Sequence, residues 1–282
     1  MLGCVSCSSG RTLEPNEIQS IHANKAFLNE ETKCNGCGDR FPYVEGIIQG
    51  IISDSLFAEW NFVSNIVLSG SIKVSVGTVY HQKLEQEVPV INKIFLTCID
   101  THTDVAPVYD HGHAFRVISS ATGHGAKIGD TQKIDWLLYG RTKNIKIPVW
   151  QKFIIQAKEE LLQRQYNLSL LTSAISFESF VDTLIEKLFS QKGITQEASN
   201  IILESMSGIY HKVHKLLPEL DKIALKENKE INKKWQKSVV EKRNTIAHGA
   251  IEEVSKEEAR EAFETVIRAI YYLAQNTSLN LK

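Results

Sequence analysis

Lys242-Arg243-Asn244-Thr245-Ile246-Ala247-His248-Gly249 closes a run, residues 228–248, that contains neither proline nor glycine and is rich in good helix formers. Gly249 follows it, a residue suited to the left-handed backbone that ends helices. The spacing therefore predicts a helix whose last turn carries an arginine, an amide and a histidine. Arg243, Asn244 and His248 are the candidate catalytic residues. Five positions at about 100° each leave Arg243 and His248 about 140° apart around an ideal helix, whereas Asn244 and His248, four apart, share a face. Arg243 then reaches round with its long stem, or the helix ends or distorts near the motif, or the pair is completed from a second copy of the chain.

Upstream and downstream the helical period continues. Helices are predicted over 149–166, 169–191, 195–217, 228–248 and 256–275, the last opened by a capping box of Ser255 and Glu258. The second presents a broad apolar face of Leu170, Leu171, Ala174, Phe177, Val181, Leu184, Ile185 and Leu188. Glu178 interrupts it, and a carboxylate there needs a cationic or hydrogen-bonding partner, with Arg243 a candidate. His211 and His214, beside Lys212 and Lys215, read as a mildly basic solvent face. Lys222 to Lys242 is a further basic stretch, a solvated helix face or an RNA-facing patch.

The N-terminus carries a different signal. Cys4-Val5-Ser6-Cys7 and Cys34-Asn35-Gly36-Cys37 are two Cys-x-x-Cys pairs within the first forty residues. Two intervening residues let a tight turn aim both thiolates at one ion, and two such turns complete a tetrahedral site. A zinc ribbon with one structural Zn2+ per chain on Cys4, Cys7, Cys34 and Cys37 is the reading, closed and therefore structural. A short helix is expected between the pairs, and His22 within it reads as a surface residue before an alternative ligand.

From about Phe41 to Pro148 the pattern is strand-like. Residues 56–63, 72–80, 93–99, 114–118 and 134–139 are candidate strands, several alternating with period two, and an antiparallel sandwich or curled sheet is their natural assembly. His102, His111 and His113, with Asp104, are candidates for a second metal site, the default being loop residues. Gly123 to Asp130 is glycine-rich but lacks the lysine-serine/threonine ending of a phosphate loop. Cys98 reads as a small buried apolar residue.

The fold class is thus α+β multidomain: a zinc ribbon over 1–45, an antiparallel β-rich, sandwich-like sensing or regulatory domain over 46–148, and an all-α bundle over 149–282. A formal net charge of −1 across 282 residues excludes a global basic field of the kind that advertises nucleic-acid binding. The expectation is a soluble, cytoplasmic protein with no membrane partner, since no signal-peptide pattern opens the chain and no unbroken apolar run has the length of a span.

Arg243-Asn244-x-x-x-His248, late in a helix of a helical domain and preceded by a helix such as LSLLTSAISFESFVDTLIEKL, resembles the HEPN superfamily, with the likeness covering roughly Val149 to Lys282. The resemblance implies a metal-independent endoribonuclease acting on RNA, tRNA among the candidates, as a homodimer whose two motifs face one composite cleft. It implies His248 as proton-transfer group, Arg243 as phosphate clamp and Asn244 as orienting residue. Such fusions commonly serve as toxins or antiviral defence (abortive infection) effectors, here with a protein or phage-derived trigger acting through the N-terminal half. A non-catalytic RNA-binding or dimerisation module is the alternative that the same resemblance allows.

Overall fold

The computed structural model describes residues 2–11, 17, 28–54, 57–98, 103–109, 113–121, 127–206, 208–249 and 253–279, with backbone alone for 103–109 and 121. The chain divides into two compact units. Met1–Leu13, Ser20–Glu59 and Ile147–Lys282 form one, and Glu14–Gln19 with Trp60–Lys146 form the other.

The first unit begins with two small hairpins, β1 (Leu2–Gly3) with β2 (Gly10–Arg11) and β3 (Glu31–Lys33) with β4 (Arg40–Pro42). A helix follows directly, α1 (Tyr43–Ile52), burying Ile47, Ile48, Ile51 and Ile52. This corrects the strand-like reading of the residues after Phe41, where Val44-Glu45-Gly46-Ile47-Ile48 carries helical rather than alternating burial. β1 packs so closely on α1 that a Cβ on Gly3 would lie 2.9 Å from the backbone of Gln49 and Gly50.

The helical bundle is built from α2 (Val149–Leu162), α3 (Tyr166–Gln191), α4 (Gln196–Ser205), α5 (209–221), α6 (229–247) and α7 (Lys256–Asn276). α2 and α3 form a tight hairpin. Small residues let the backbones approach: Ser169 Oγ donates to the Ala157 carbonyl at 2.8 Å and Ser176 Oγ to that of Trp150 at 2.9 Å. α3 is apolar and long enough by composition to cross a membrane, and the bundle takes up its apolar face, with Leu170, Phe177, Phe180, Val181, Leu184, Ile185 and Leu188 all buried. The α7 cap forms in full, with Ser255 Oγ accepting from the Glu258 amide and Glu258 accepting from the Ser255 amide.

Two of the expected helices take a different form. The run drawn over 195–217 breaks after Ser205 and restarts at Ile209, with Gly208 at φ 80°. Beyond it, Lys212–Leu216 of α5 and Trp235–Glu241 of α6 are π-helical, with i→i+5 hydrogen bonds.

The second unit holds two three-stranded antiparallel sheets, ordered β5–β10–β7 and β6–β9–β8. The strands are β5 (Ile66–Ser75), β6 (Val79–Lys83), β7 (Val90–Cys98), β8 (Thr103–Tyr109), β9 (Ala114–Ala121) and β10 (Thr131–Arg141). Ile72, Val74, Ile94, Ile134 and Leu138 of the first sheet share one core with Phe115 and Val117 of the second. The sandwich-like expectation holds at that level. Residues 58–62 are a 3-10 turn and not a strand, and 72–80 splits into two strands at Gly77, whose φ of 85° no strand interior accommodates. β8, in the segment expected to be loop, is an edge strand, where a proline such as Pro107, which has no N–H to give a ladder, is tolerated. Cys98 is half-buried with its thiol 3.7 Å from Gln132 Oε1, not a wholly apolar core residue.

Candidate functional site

Helix α6 sets the site. In an uninterrupted α-helix each step of four residues overshoots a turn by about 40°. A stripe begun at Trp235 would drift about 80° by Arg243. The wider π turns over Trp235–Glu241 offset that drift, so Trp235 and Val239, both buried, continue into Arg243 on the side that meets α3.

There Arg243 finds two partners. Its Nη2 lies 3.5 Å from Glu178 Oε1 of α3, and its Nη1 donates to Asn244 Oδ1 at 3.2 Å. The partner that Glu178 required is therefore Arg243. Burial pushes the Glu178 carboxyl above the usual carboxylate range, with Arg243 and Lys212 pulling it back. Arg243 and Asn244 line a groove of about 300 Å3 with Glu178 and Asp182 of α3, Gly208, Ile209, Tyr210 and Lys212 at the start of α5, and Val240. Across it Lys212 Nζ meets Asp182 Oδ1 at 2.7 Å.

His248 occupies the end of the same helix, its amide bonded to the Asn244 carbonyl at 3.0 Å and Gly249 following at φ 68°. Its imidazole is exposed, is not among the groove-lining residues, and makes no hydrogen bond or ion pair among the described residues. The structure thus brings Arg243 and Asn244 together and leaves His248 facing outward. Lys242, beside the motif, is ion-paired with Glu258 and so ties the last turn of α6 to the cap of α7.

Sequence reasoning missed several residues around the groove. His214 is not on a solvent face: it packs 4.4 Å from the Tyr210 ring and 5.8 Å from Trp235, and burial lowers its pKa, with Lys226 adding to the shift. Tyr210 and Asp182 carried no motif. Only the break at Gly208, two residues before Tyr210, marked the place. By contrast Lys222, Lys226, Lys229, Lys233, Lys234 and Lys237 are exposed, as a solvated face requires.

A second candidate site lies at the two hairpins. Cys4 and Cys34 are buried, Cys7 and Cys37 exposed, and all four sulfurs lie within 4.8 Å of one another. Cys4 Sγ is 3.6 Å from Cys37 Sγ, and Cys7 Sγ is 3.6 Å from Cys34 Sγ. A disulfide would need about 2.05 Å. A tetrahedron of sulfurs about 2.3 Å from a zinc ion has edges of about 3.8 Å. The turns repeat one geometry: the Ser8 amide bonds the Cys4 carbonyl at 3.0 Å and the Gly38 amide that of Cys34 at 3.1 Å, with Ser8 and Gly38 both left-handed. The Gly36 amide donates to Cys34 Sγ at 3.3 Å. Hydrogen bonding with Ser9 pulls the Cys7 thiol down to about 6. The four residues fit a tetrahedral, thiolate-binding metal.

The other metal candidate is not assembled in the described residues. His113 is exposed, Asp104 sits on the β8 backbone, and His102 and His111 lie outside the described residues, as do His22 and Gly123 to Gly125.

A protein-family model described as HEPN_MAE_28990-like HEPN matches residues 136–281. No curated protein and no solved structure matches the chain.

Proposed function

Because the chain belongs to the HEPN family, we propose that it is a metal-independent endoribonuclease whose active site is completed by a second copy of the chain. The observation that carries this reading is the placement of Arg243, its guanidinium held by Glu178 and Asn244 at the mouth of a groove, with His248 exposed at the same helix end. A guanidinium fork set beside a carboxamide suits a phosphodiester, gripping two non-bridging oxygens and stabilising charge that develops on them.

An imidazole serves as either general base or general acid in proton transfer. In a homodimer two His248 side chains serve one cleft. One takes the proton from the 2′-hydroxyl as its oxygen bonds to phosphorus; the other gives a proton to the 5′-oxygen as the P–O5′ bond breaks. No water is consumed, and the products are a 2′,3′-cyclic phosphate and a 5′-hydroxyl. The outward aim of His248 supports the two-chain arrangement, since Arg243 and His248 do not converge in one copy.

Cys4, Cys7, Cys34 and Cys37 would hold one structural zinc ion, which supplies folding energy to the hairpins and takes no part in RNA chemistry. The wider role we assign is that of a toxin or antiviral defence effector, triggered by a protein or phage-derived partner acting on the N-terminal half. The same isolation of His248 from the groove favours, as a second reading, a non-catalytic RNA-binding or dimerisation module.

Incubation of the purified protein with total RNA in EDTA, beside Arg243→Ala and His248→Ala, separates the two. Cleavage by the parent that both variants lose supports the nuclease. Equal cleavage by all three sinks it, and RNA binding without cleavage by the parent points to the non-catalytic module.

A further inference from the structure

The groove beside Arg243 contains more than a phosphate clamp requires. Tyr210 is 48% exposed, yet its ring is fixed, tilted against His214 at 4.4 Å and edge-on to His211 at 6.2 Å. Gly208, at φ 80° with open space where a Cβ would sit, keeps that side of the groove clear. Opposite, Asp182 commits one carboxylate oxygen to Lys212, itself only 15% exposed, and keeps the other as an acceptor. Ile209 and Val240 supply apolar walls. Two of the three helices bordering the space contribute from π-helical segments, Lys212 from α5 and Val240 from α6, and such segments are frequent at functional sites.

We propose that this groove is a nucleobase subsite, in which an unpaired base flanking the phosphate held by Arg243 stacks on Tyr210 and presents an amino group to Asp182. The inference rests on the ribonuclease reading and adds a substrate preference to it. Every base offers a π-face, so Tyr210 contributes affinity with little sequence choice. Asp182, acceptor only, contributes the choice: adenine, cytosine and guanine carry an exocyclic amino donor, whereas uracil offers only its ring N3–H. A volume of about 300 Å3 is at the lower end for small-ligand sites, the scale of one base rather than of a duplex. The substrate is accordingly single-stranded at the cleavage point.

Single-stranded oligoribonucleotides carrying one 2-aminopurine report stacking as fluorescence quenching. They are titrated into full-length His248→Ala, which holds RNA uncut, and into the same chain with Tyr210→Phe or Tyr210→Ala added. Quenching should persist with phenylalanine and disappear with alanine, with roughly tenfold weaker affinity or more. Competition by oligo-U should be weaker than by oligo-A or oligo-C, and Asp182→Asn should remove that bias. Unchanged quenching and affinity in Tyr210→Ala overturn the subsite, as does absence of binding to any of these oligomers. Cleavage of total RNA by the parent is scored separately, so the subsite can fail while the ribonuclease reading stands.

Discussion

Glu178 of α3 and Arg243 of α6 face each other at 3.5 Å, partly buried, with Asn244 taking the second arm of the guanidinium at 3.2 Å. On the ribonuclease reading proposed above, the carboxylate competes with the substrate phosphate for the same donors while holding them in place. Glu178→Gln removes the competing charge and keeps a polar partner of the same shape. RNA should bind more tightly, with KM reduced several-fold, and kcat should fall because a neutral amide holds the guanidinium less firmly than a carboxylate does. Fold stability should change little, about 0–1 kcal/mol, since both side chains reach solvent. Steady-state kinetics on a fluorogenic RNA, beside a thermal melt, separates these effects. A proportional loss of kcat and stability would make Glu178 merely structural.

Arg243→Lys tests whether the fork or the charge matters. An ammonium is a point charge without the planar pair of arms that reaches Glu178 and Asn244 together. If the roles assigned above hold, lysine should retain salt-dependent RNA affinity and lose most of kcat, resembling Arg243→Ala in rate but not in binding. A filter-binding series across ionic strength reads the first quantity and single-turnover cleavage the second.

Glu258 connects the motif to the adjoining helix. It closes the cap of α7 through Ser255 and pairs with Lys242, and those contacts, the Lys242 hydrogen bond first, hold its pKa near 2. A depressed carboxylate contributes stability that is present above its unfolded value near 4.5 and is lost as pH falls toward 2. Ser255→Ala should cost about 1 kcal/mol. Glu258→Gln should flatten the acid limb of the stability profile and loosen the end of α6, visible as faster amide exchange at residues 245–248.

Much of this was legible in the sequence because it is local. The capping box, the Cys-x-x-Cys turns and the apolar face of α3 each depend on spacing within a few residues, and each formed as read. Glu178 was legible for a related reason: a charge inside an apolar stripe demands a partner, and Arg243 was one candidate among the basic groups. What escaped depends on tertiary setting. Nothing in Trp235-Gln236-Lys237-Ser238-Val239-Val240-Glu241 distinguishes π from α turns, so the phase that delivers Arg243 to α3 was invisible. Tyr210 and Asp182 face one groove from opposite ends of a loop-broken region and share no motif. β8 escaped because Pro107 and Asp104 argue against a strand until its edge position is known.

The cysteine cluster should bind one zinc ion per chain, measured by elemental analysis, and cobalt substitution should give the absorption of a tetrahedral thiolate site. Cys4→Ser or Cys34→Ser should abolish both and reduce soluble yield. The damage should extend to α1, because β1 lies against it with no room for a Cβ on Gly3. Gly3→Ala supplies the control: it should lower the melting temperature while leaving the metal stoichiometry at one. Full stability and solubility of a metal-free chain would remove zinc from the structural account.

Lys158 is fully buried in α2, and its ammonium donates to the Ile51 carbonyl at 2.8 Å and to that of Ser53, closing the C-terminal end of α1. Beside it Glu59 is 2% exposed, and burial lifts its pKa from 4.5 to about 7, with Lys158 opposing the rise. Asp54 and Arg260 also act on Lys158, whose own pKa burial lowers. Because the folded pKa of Glu59 exceeds the unfolded one, its contribution is full below about 4.5 and is lost as pH rises through about 7. A difference of that size corresponds to ~3 kcal/mol. Stability of the parent should therefore decline between pH 5 and 8, and Glu59→Gln, which cannot ionise, should not share that decline. Denaturant unfolding at the two pH values measures it. Lys158→Ala should be the harsher change at either pH, on the order of 3 kcal/mol, since it strips Glu59 of its counter-charge and withdraws the donor from two carbonyls at the end of α1. If the parent and Glu59→Gln show the same pH slope, Glu59 is not the titrating group.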